Sequence, residues 1–238
     1  MSESFPPGMV EALESFFHRQ RMKREWQWNE DLYHEVFVEP FFMPLQRKRE
    51  MQRMMRRARE IEPWRILDVG SDKGGGLFHW CAGFQPGRVC SIDLRGQPYA
   101  QLFKQHFDRI DFLWLPCSSY EPEVVARVGK WLAGDRFDIV FLDGDKSAFH
   151  KDFDAYVDMV RPGGLIIFHD IKVMEPGAAF ATAARHPRVA TVETIIDNKE
   201  SREAMQRECE GIPSSGCYED WLRLWKNEAC GVGILELM

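Results

Sequence analysis

The sequence predicts a doubly wound α/β domain: a mostly parallel sheet of seven strands, with extra helices at the N-terminus. Three observations predict it. From Arg65 onward short apolar runs alternate with helical patterns, the runs are continuously apolar, and a cluster of glycines follows the first of them. Continuous apolar strands separated by helices belong to a parallel sheet covered on both faces.

The N-terminal region is helical in character. Met9, Val10, Leu13, Phe16 and Phe17 recur at helical spacing, as do Met51, Met54, Met55, Ala58 and Ile61. Between them lie Trp26, Trp28, Tyr33, Phe41 and Phe42, which suit core packing or a lid over a substrate. Residues 1–60 are read as a helical cap on an α/β core of residues 61–238, the whole chain forming one domain, because the region is short and no flexible hinge follows. The expected strands are RILDV (65–69), RVCSI (88–92), DFLWL (111–115), FDIVFL (137–142), GLIIFHD (164–170), RVATVETII (188–196) and GVGILEL (231–237), the last antiparallel to its neighbours. Helices are expected near 75–84, 98–107, 121–132, 147–160 and 176–186, with another around 218–227.

Composition narrows the class of function. A chain of 238 residues with 45% hydrophobic and 29% charged residues folds around a core of its own. A net charge of −6 gives no general attraction to nucleic acid or to anionic membranes. No apolar run is long enough to span a bilayer, and MSESFPPGMVEALESFF lacks the basic start and apolar stretch of a signal peptide. The cysteines Cys81, Cys90, Cys117, Cys209, Cys217 and Cys230 form no CxxC pair and are read as free thiols. A cytoplasmic enzyme is therefore expected. The basic segment 46–60 sets its Arg and Lys opposite a Met stripe, which describes an amphipathic helix with a solvated face better than a nucleic-acid surface. Self-association into a homo-oligomer is left open.

In an open α/β sheet, ligands bind beyond the carboxyl ends of the strands, where the strand order reverses. The first strand ends in ILDVGSDKGGG (66–76). Gly70 closes the strand and Gly74, Gly75 and Gly76 open the next helix, allowing a tight turn and close approach of a ligand. The spacing is not the GxGxxG that a dinucleotide pyrophosphate requires, so an NAD-dependent dehydrogenase is disfavoured. The second strand ends at Asp93, 25 residues after Asp68 and placed to accept hydrogen bonds from ribose hydroxyls. Asp143 and Asp145 end the fourth strand, and His169 and Asp170 the fifth. Parallel neighbours lie about 4.8 Å apart, so these polar groups converge. Clustered carboxylates repel unless protonated or neutralised, and a divalent cation is an economical partner.

These motifs resemble class I S-adenosylmethionine-dependent methyltransferases. Asp68-x-Gly70-x-x-x-Gly74 is similar to their first motif, and Arg161-Pro162-Gly163-Gly164 to the loop before their fifth strand. DGDK (143–146) followed by HDI (169–171) is similar to metal-dependent small-molecule O-methyltransferases of the caffeoyl-CoA, catechol and cephalosporin-hydroxylase-like types. The resemblance covers roughly residues 64–172, with a weaker echo in WLRLWKNEACGVGIL near the end. It implies a Rossmann-like methyltransferase fold and S-adenosylmethionine held by Asp68, Gly70, Ser71, Gly74, Asp93, Ser118 and Asp143. It implies a divalent metal, Mg2+ by its oxygen ligands or Mn2+ or Fe2+ if histidine takes part, at Asp143, His169 and Asp170. Lys146 or Asp145 would be the general base, and a small molecule the acceptor. One departure stands out. Where the family often carries an acid after the third strand, to contact the adenine amino group, this chain has Pro116, Cys117 and Ser118. A methyltransferase-like binding module and a nucleic-acid methyltransferase are the competing expectations. Acceptor choice is expected to reside in the N-terminal helices and in segment 197–220.

Overall fold

The computed structural model describes residues 9–21, 48–97, 99–196 and 231–238. The aromatic stretch 26–42, the segment 197–220, the helix expected around 218–227, and Cys209, Cys217 and Cys230 lie outside the described residues. Within them, α1 (Met9–Arg21) and α2 (Lys48–Arg59) precede an alternating core. The core runs β1 (Arg65–Val69), α3 (Gly75–Phe84), β2 (Arg88–Ile92), α4 (Ala100–His106), β3 (Asp111–Leu115), α5 (Pro122–Leu132) and β4 (Phe137–Leu142). A 3₁₀ turn (Lys146–Ala148), α6 (Phe149–Tyr156) and a second 3₁₀ turn (Val157–Met159) then lead to β5 (Val160–Phe168), α7 (Met174–Ala183), β6 (Val189–Ile195) and β7 (Val232–Leu237).

The seven strands form one sheet in the order β3-β2-β1-β4-β5-β7-β6. β1 to β5 are mutually parallel, and β7 runs antiparallel to both β5 and β6, as the sequence predicted. Every residue of β4 is buried, which accounts for its unbroken apolar run. One core layer joins Leu13, Phe16 and Phe17 of α1 and Met51, Met54, Met55 and Ala58 of α2 to α3 and α4 and one face of the sheet. Phe17 packs edge-on against Phe78 and Phe103, with centroids 5.5 and 5.4 Å apart. The opposite layer is built on Val128, Leu132, Phe149, Phe153, Tyr156 and Phe180 from α5, α6 and α7. The basic face of α2 is outward, with Arg53, Arg56 and Arg59 exposed.

Two elements differ from the sequence-based expectation. β5 begins at Val160 rather than at Gly164, and its pairing with β4 shifts between Phe137 and Ile139, so the Arg-Pro-Gly-Gly segment is bulged strand rather than loop. The helix expected over 147–160 is α6 flanked by two 3₁₀ turns. At the amino end of the sheet, buried Asp138 accepts hydrogen bonds from the backbone N–H groups of Trp64 (2.9 Å) and Arg65 (2.7 Å) and from Arg161 Nε, tying β1, β4 and β5 together.

Candidate active site

The strand order reverses between β1 and β4, and a cavity of about 340 Å³ opens at the carboxyl ends there. Its wall comprises Val69, Gly70 and Asp72 after β1, Ile92 to Arg95 after β2, Cys117 to Tyr120 after β3, and Asp143 to Asp145 after β4. Gly70 has φ +85°, and a Cβ there would lie 2.5 Å from the backbone of Asp143 and Gly144. Only glycine lets β1 and β4 close together at this turn. Gly74 has φ +87° and abuts the Tyr99 ring, 3.0 Å from where a Cβ would stand.

Asp93 is held by main-chain donors. Its Oδ2 accepts from the N–H of Asp72 and its Oδ1 from the N–H of Arg95, both at 2.7 Å. Burial raises its carboxyl above the ordinary range, and these two N–H groups oppose the rise. Each oxygen keeps a further lone pair for a ligand hydroxyl. Ser71 is the hub of a buried network with Ser91, Gln97 and Tyr99, each at 2.9 Å, and lies behind the turn rather than in the cavity wall. Asp68 likewise lies under the cavity, 1% exposed, its carboxyl pushed well up by burial and then by Asp143 and Asp93. Of the seven residues expected to hold the cofactor, Gly70, Asp93, Ser118 and Asp143 line the cavity, whereas Asp68, Ser71 and Gly74 shape the turn beneath it.

At the other end of the cleft the residues after β4 and β5 converge. Leu142 pairs with Phe168, which brings Asp143 beside His169. One ligand atom each from Asp143, His169 and Asp170 can be chosen so that all lie within 4.8 Å of one another. His169 Nδ1 is 3.0 Å from Asp143 Oδ1 and 3.4 Å from Asp170 Oδ1. On its far side Nε2 is 3.7 Å from Oε2 of Glu50, a fully buried acid of α2. Asp170 has φ +57°, in the left-handed region that Asp tolerates better than most side chains.

Lys146 differs from expectation. Its ammonium donates to Asp143 Oδ1 and lies 2.9 Å from Asp170 Oδ2, so its partners are these two carboxylates and not Asp145. Burial alone would lower its pKa, but Asp143 and Asp170 outweigh burial and raise it. A lysine held this way is a cation and a hydrogen-bond donor, not a ready base. The same charges act on their partners. Burial works against ionisation of Asp143 and Asp170, yet His169 and Lys146 hold both carboxyls below the ordinary range. His169 is driven well above its ordinary value by Asp143 and Asp170, against the effect of burial. Asp145 stands apart, exposed on the cavity rim, where its Oδ1 accepts from the N–H and hydroxyl of Ser147 and caps the 3₁₀ turn.

Two features escaped the sequence. Glu50 belongs to a helix whose pattern reads as basic and solvated, and only the packing of α2 carries it to His169. Asp152 of α6 is buried, hydrogen-bonded to the Ser119 hydroxyl, and Tyr156 donates to the Ser119 carbonyl.

A switch-point cavity with a glycine turn and a carboxylate after the second strand is how an α/β sheet receives an adenosine ligand. Residues 67–171 match the family model described as a methyltransferase domain. The match spans β1 to β5, and the residues that wall the cavity all lie within it. No curated protein matches the sequence significantly. Among solved structures, the O-methyltransferase TomG from Streptomyces achromogenes, in complex with S-adenosylmethionine, superposes with TM-score 0.60 at 14% identity, over 89% of this chain and 91% of that one. The O-methyltransferase from Bacillus cereus, in complex with S-adenosylhomocysteine, gives TM-score 0.55 at 12% identity, over 98% and 92%. MycE from the mycinamycin biosynthetic pathway, in complex with Mg, S-adenosylhomocysteine and mycinamycin VI, gives 0.53 at 16%, over 86% of this chain and 54% of that one. At these identities the likeness speaks for the fold. Among the described residues no helix is long and apolar enough to cross a membrane, and Cys81, Cys90 and Cys117 are free.

Proposed function

We propose that this protein transfers the methyl group of S-adenosylmethionine to a hydroxyl of a small-molecule acceptor, with a divalent cation at Asp143, His169 and Asp170. The observation that carries the proposal is the double position of Asp143. It lines the donor cavity and also belongs to the cluster of possible metal ligands, so donor and acceptor chemistry meet at one side chain. The ligand set fits a cation. Two carboxylates and an imidazole nitrogen converge, and the buried Glu50 carboxylate lies 3.7 Å from the other ring nitrogen. The solved complex of MycE with Mg supports magnesium as the metal.

Methyl transfer is an in-line displacement at the sulfonium methyl carbon: the acceptor oxygen forms the new bond as the carbon–sulfur bond breaks and its electron pair returns to sulfur. The donor is already reactive, so the protein must align the acceptor and lower the cost of removing its proton. A cation bound here would supply Lewis acidity, lowering the pKa of an acceptor hydroxyl. Asp93 and the Gly70 turn fix the donor. Lys146 directs its ammonium toward the acceptor oxygen and compensates Asp143 and Asp170. Asp145, exposed on the cavity rim, takes the acceptor's proton.

Equilibrium binding of Mn2+ to the protein, read by electron paramagnetic resonance, tests the cation site. One ion per chain is expected, with binding lost in both Asp143→Asn and Asp170→Asn. A protein that binds no Mn2+ at millimolar concentration would exclude the site. One observation favours a second reading: Lys146 already bridges Asp143 and Asp170, and its ammonium could serve as a built-in cation. Full activity in excess chelator, abolished by Lys146→Met, would select that reading.

A further inference from the structure

The donor must run across the strand ends. With its ribose at Asp93 after β2 and its methyl group at Asp143 after β4, the order β3-β2-β1-β4 leaves the β3 end for the adenine. That end is walled by Cys117, Ser118, Ser119 and Tyr120. It carries no acid on the strand itself, yet an adenine 6-amino group is a donor that requires an acceptor.

An acid does reach this place from another element. Asp152, in the middle of α6, is 0% exposed and accepts the hydroxyl proton of Ser119, itself only 8% exposed. The second oxygen of Asp152 has no hydrogen-bond partner among the described residues. Burial, and then nearby Asp145, pushes this carboxyl up to about 6, against the pull of the Ser119 hydrogen bond and of Lys151, so above neutral pH it is an anion that can only accept. Tyr156 pins the Ser119 main chain by donating to its carbonyl. A serine hydroxyl is ordinarily ambivalent, with one donor and two acceptor lone pairs. Once its proton is committed to Asp152, Ser119 can offer a ligand only lone pairs. Next to it, the Ser118 hydroxyl is shielded from solvent and has no partner among the described residues, so its proton is available.

We infer that Asp152, acting through Ser119, makes the β3 end of the cavity an acceptor for the adenine 6-amino group, while Ser118 donates to the neighbouring ring nitrogen N1. The pair of serines replaces the missing carboxylate. Adenine presents a donor at position 6 and an acceptor at N1, whereas hypoxanthine presents an acceptor at position 6 and a donor at N1. The serine pair, polarised by Asp152, matches the first edge and opposes the second. Asp152 is thus a positioning residue for base specificity. The inference rests on the donor lying in this cavity with its adenine toward β3.

The test is calorimetric binding at pH 8 of two probes: S-adenosylhomocysteine and its deaminated analogue S-inosylhomocysteine. The wild-type protein should prefer the adenosyl compound by about 30-fold or more, because mismatched polar groups would be buried with the other. Asp152→Asn supplies an amide that can donate to Ser119 and free the serine proton for the cavity. The preference should fall to about fivefold or less, with tighter binding of the inosyl compound. Ser119→Ala should collapse the same ratio by weakening the adenosyl compound, and it stands in for Asp152→Asn should that variant not fold. A structural role alone would alter both affinities together and leave the ratio intact, so an unchanged ratio in either folded variant overturns the inference. A wild-type protein that binds both probes equally overturns it too while leaving the donor site in place. One that binds neither removes the donor placement and this inference together.

Discussion

The two halves of the cleft are built by different means. The half proposed for the donor rests on backbone. Gly70 lets β1 close onto β4, and Asp93 is oriented by main-chain N–H groups of Asp72 and Arg95. The half proposed for the acceptor rests on side-chain charge. Asp143, Asp170, His169 and Lys146 hold one another, with Glu50 behind them. Backbone donors are fixed by the fold and vary little with ionic conditions. A cluster of opposed charges depends on its balance, and removing one member leaves the rest uncompensated. Donor binding and methyl transfer should therefore respond to different perturbations.

The largest separation is expected at the charges themselves. Asp170→Asn should lower methyl transfer by about 10³-fold, a loss on the scale of removing a group that stabilises transition-state charge. Donor affinity, measured by calorimetry with S-adenosylhomocysteine, should stay within about threefold, since Asp170 is not in the cavity wall. Asp143→Asn should lose as much turnover and some donor affinity besides, because it belongs to both halves. Equal loss of donor affinity in the two variants would break the comparison. An acceptor for these assays is to be found by screening phenols, sugars and hydroxylated natural products with labelled donor.

Lys146→Met should lower turnover by about 10²-fold with donor affinity nearly intact. Asp145→Asn sharpens the assignment. A comparable loss identifies Asp145 as the base, and an unaltered rate leaves proton removal to solvent. On the donor side the expected pattern is reversed. Asp93→Ala should weaken S-adenosylhomocysteine binding by about 1.5–3 kcal/mol, roughly 10- to 150-fold, and NAD should not bind. Undiminished binding would remove Asp93 from the site.

Much of this cleft was legible in the sequence because strand ends are. The apolar runs of β1 to β4 stop at the residues predicted, and parallel register then places Asp93, Asp143, His169 and Asp170 on one edge. The failures have physical causes. The glycine pair after Pro162 reads as a turn, whereas it carries a bulge that extends β5 back to Val160. The spacing of Lys146 to Asp143 does not say whether its pKa falls or rises, which depends on the charges that surround it in space. Glu50 and Asp152 are acids in amphipathic helices, where a pattern suggests a solvated face; their burial follows from which helix packs where, and local periodicity does not carry that information. The aromatic stretch 26–42 and the segment 197–220, expected to choose the acceptor, lie outside the described residues.

A smaller effect sharpens the contrast through pH. His79, on the helix that follows the glycine turn, is buried, and burial alone lowers its imidazole from 6.5 to about 3. The folded state thus keeps His79 neutral while the unfolded chain takes up a proton below 6.5. Its contribution to stability is present above 6.5 and is lost as the pH falls toward 3. Between pH 7 and 5 this amounts to about 2 kcal/mol. His79→Phe should flatten that part of the stability-against-pH curve in denaturant titrations, and an unchanged curve would show that His79 is protonated or hydrated in the fold.

The separation of the two halves is tested most directly by measuring methyl transfer and S-adenosylhomocysteine affinity side by side in excess chelator. Transfer should be abolished, Mg2+ or Mn2+ should restore it, and donor affinity should stay within about twofold throughout. Full transfer in chelator, or a donor affinity that falls together with the rate, would contradict the separation.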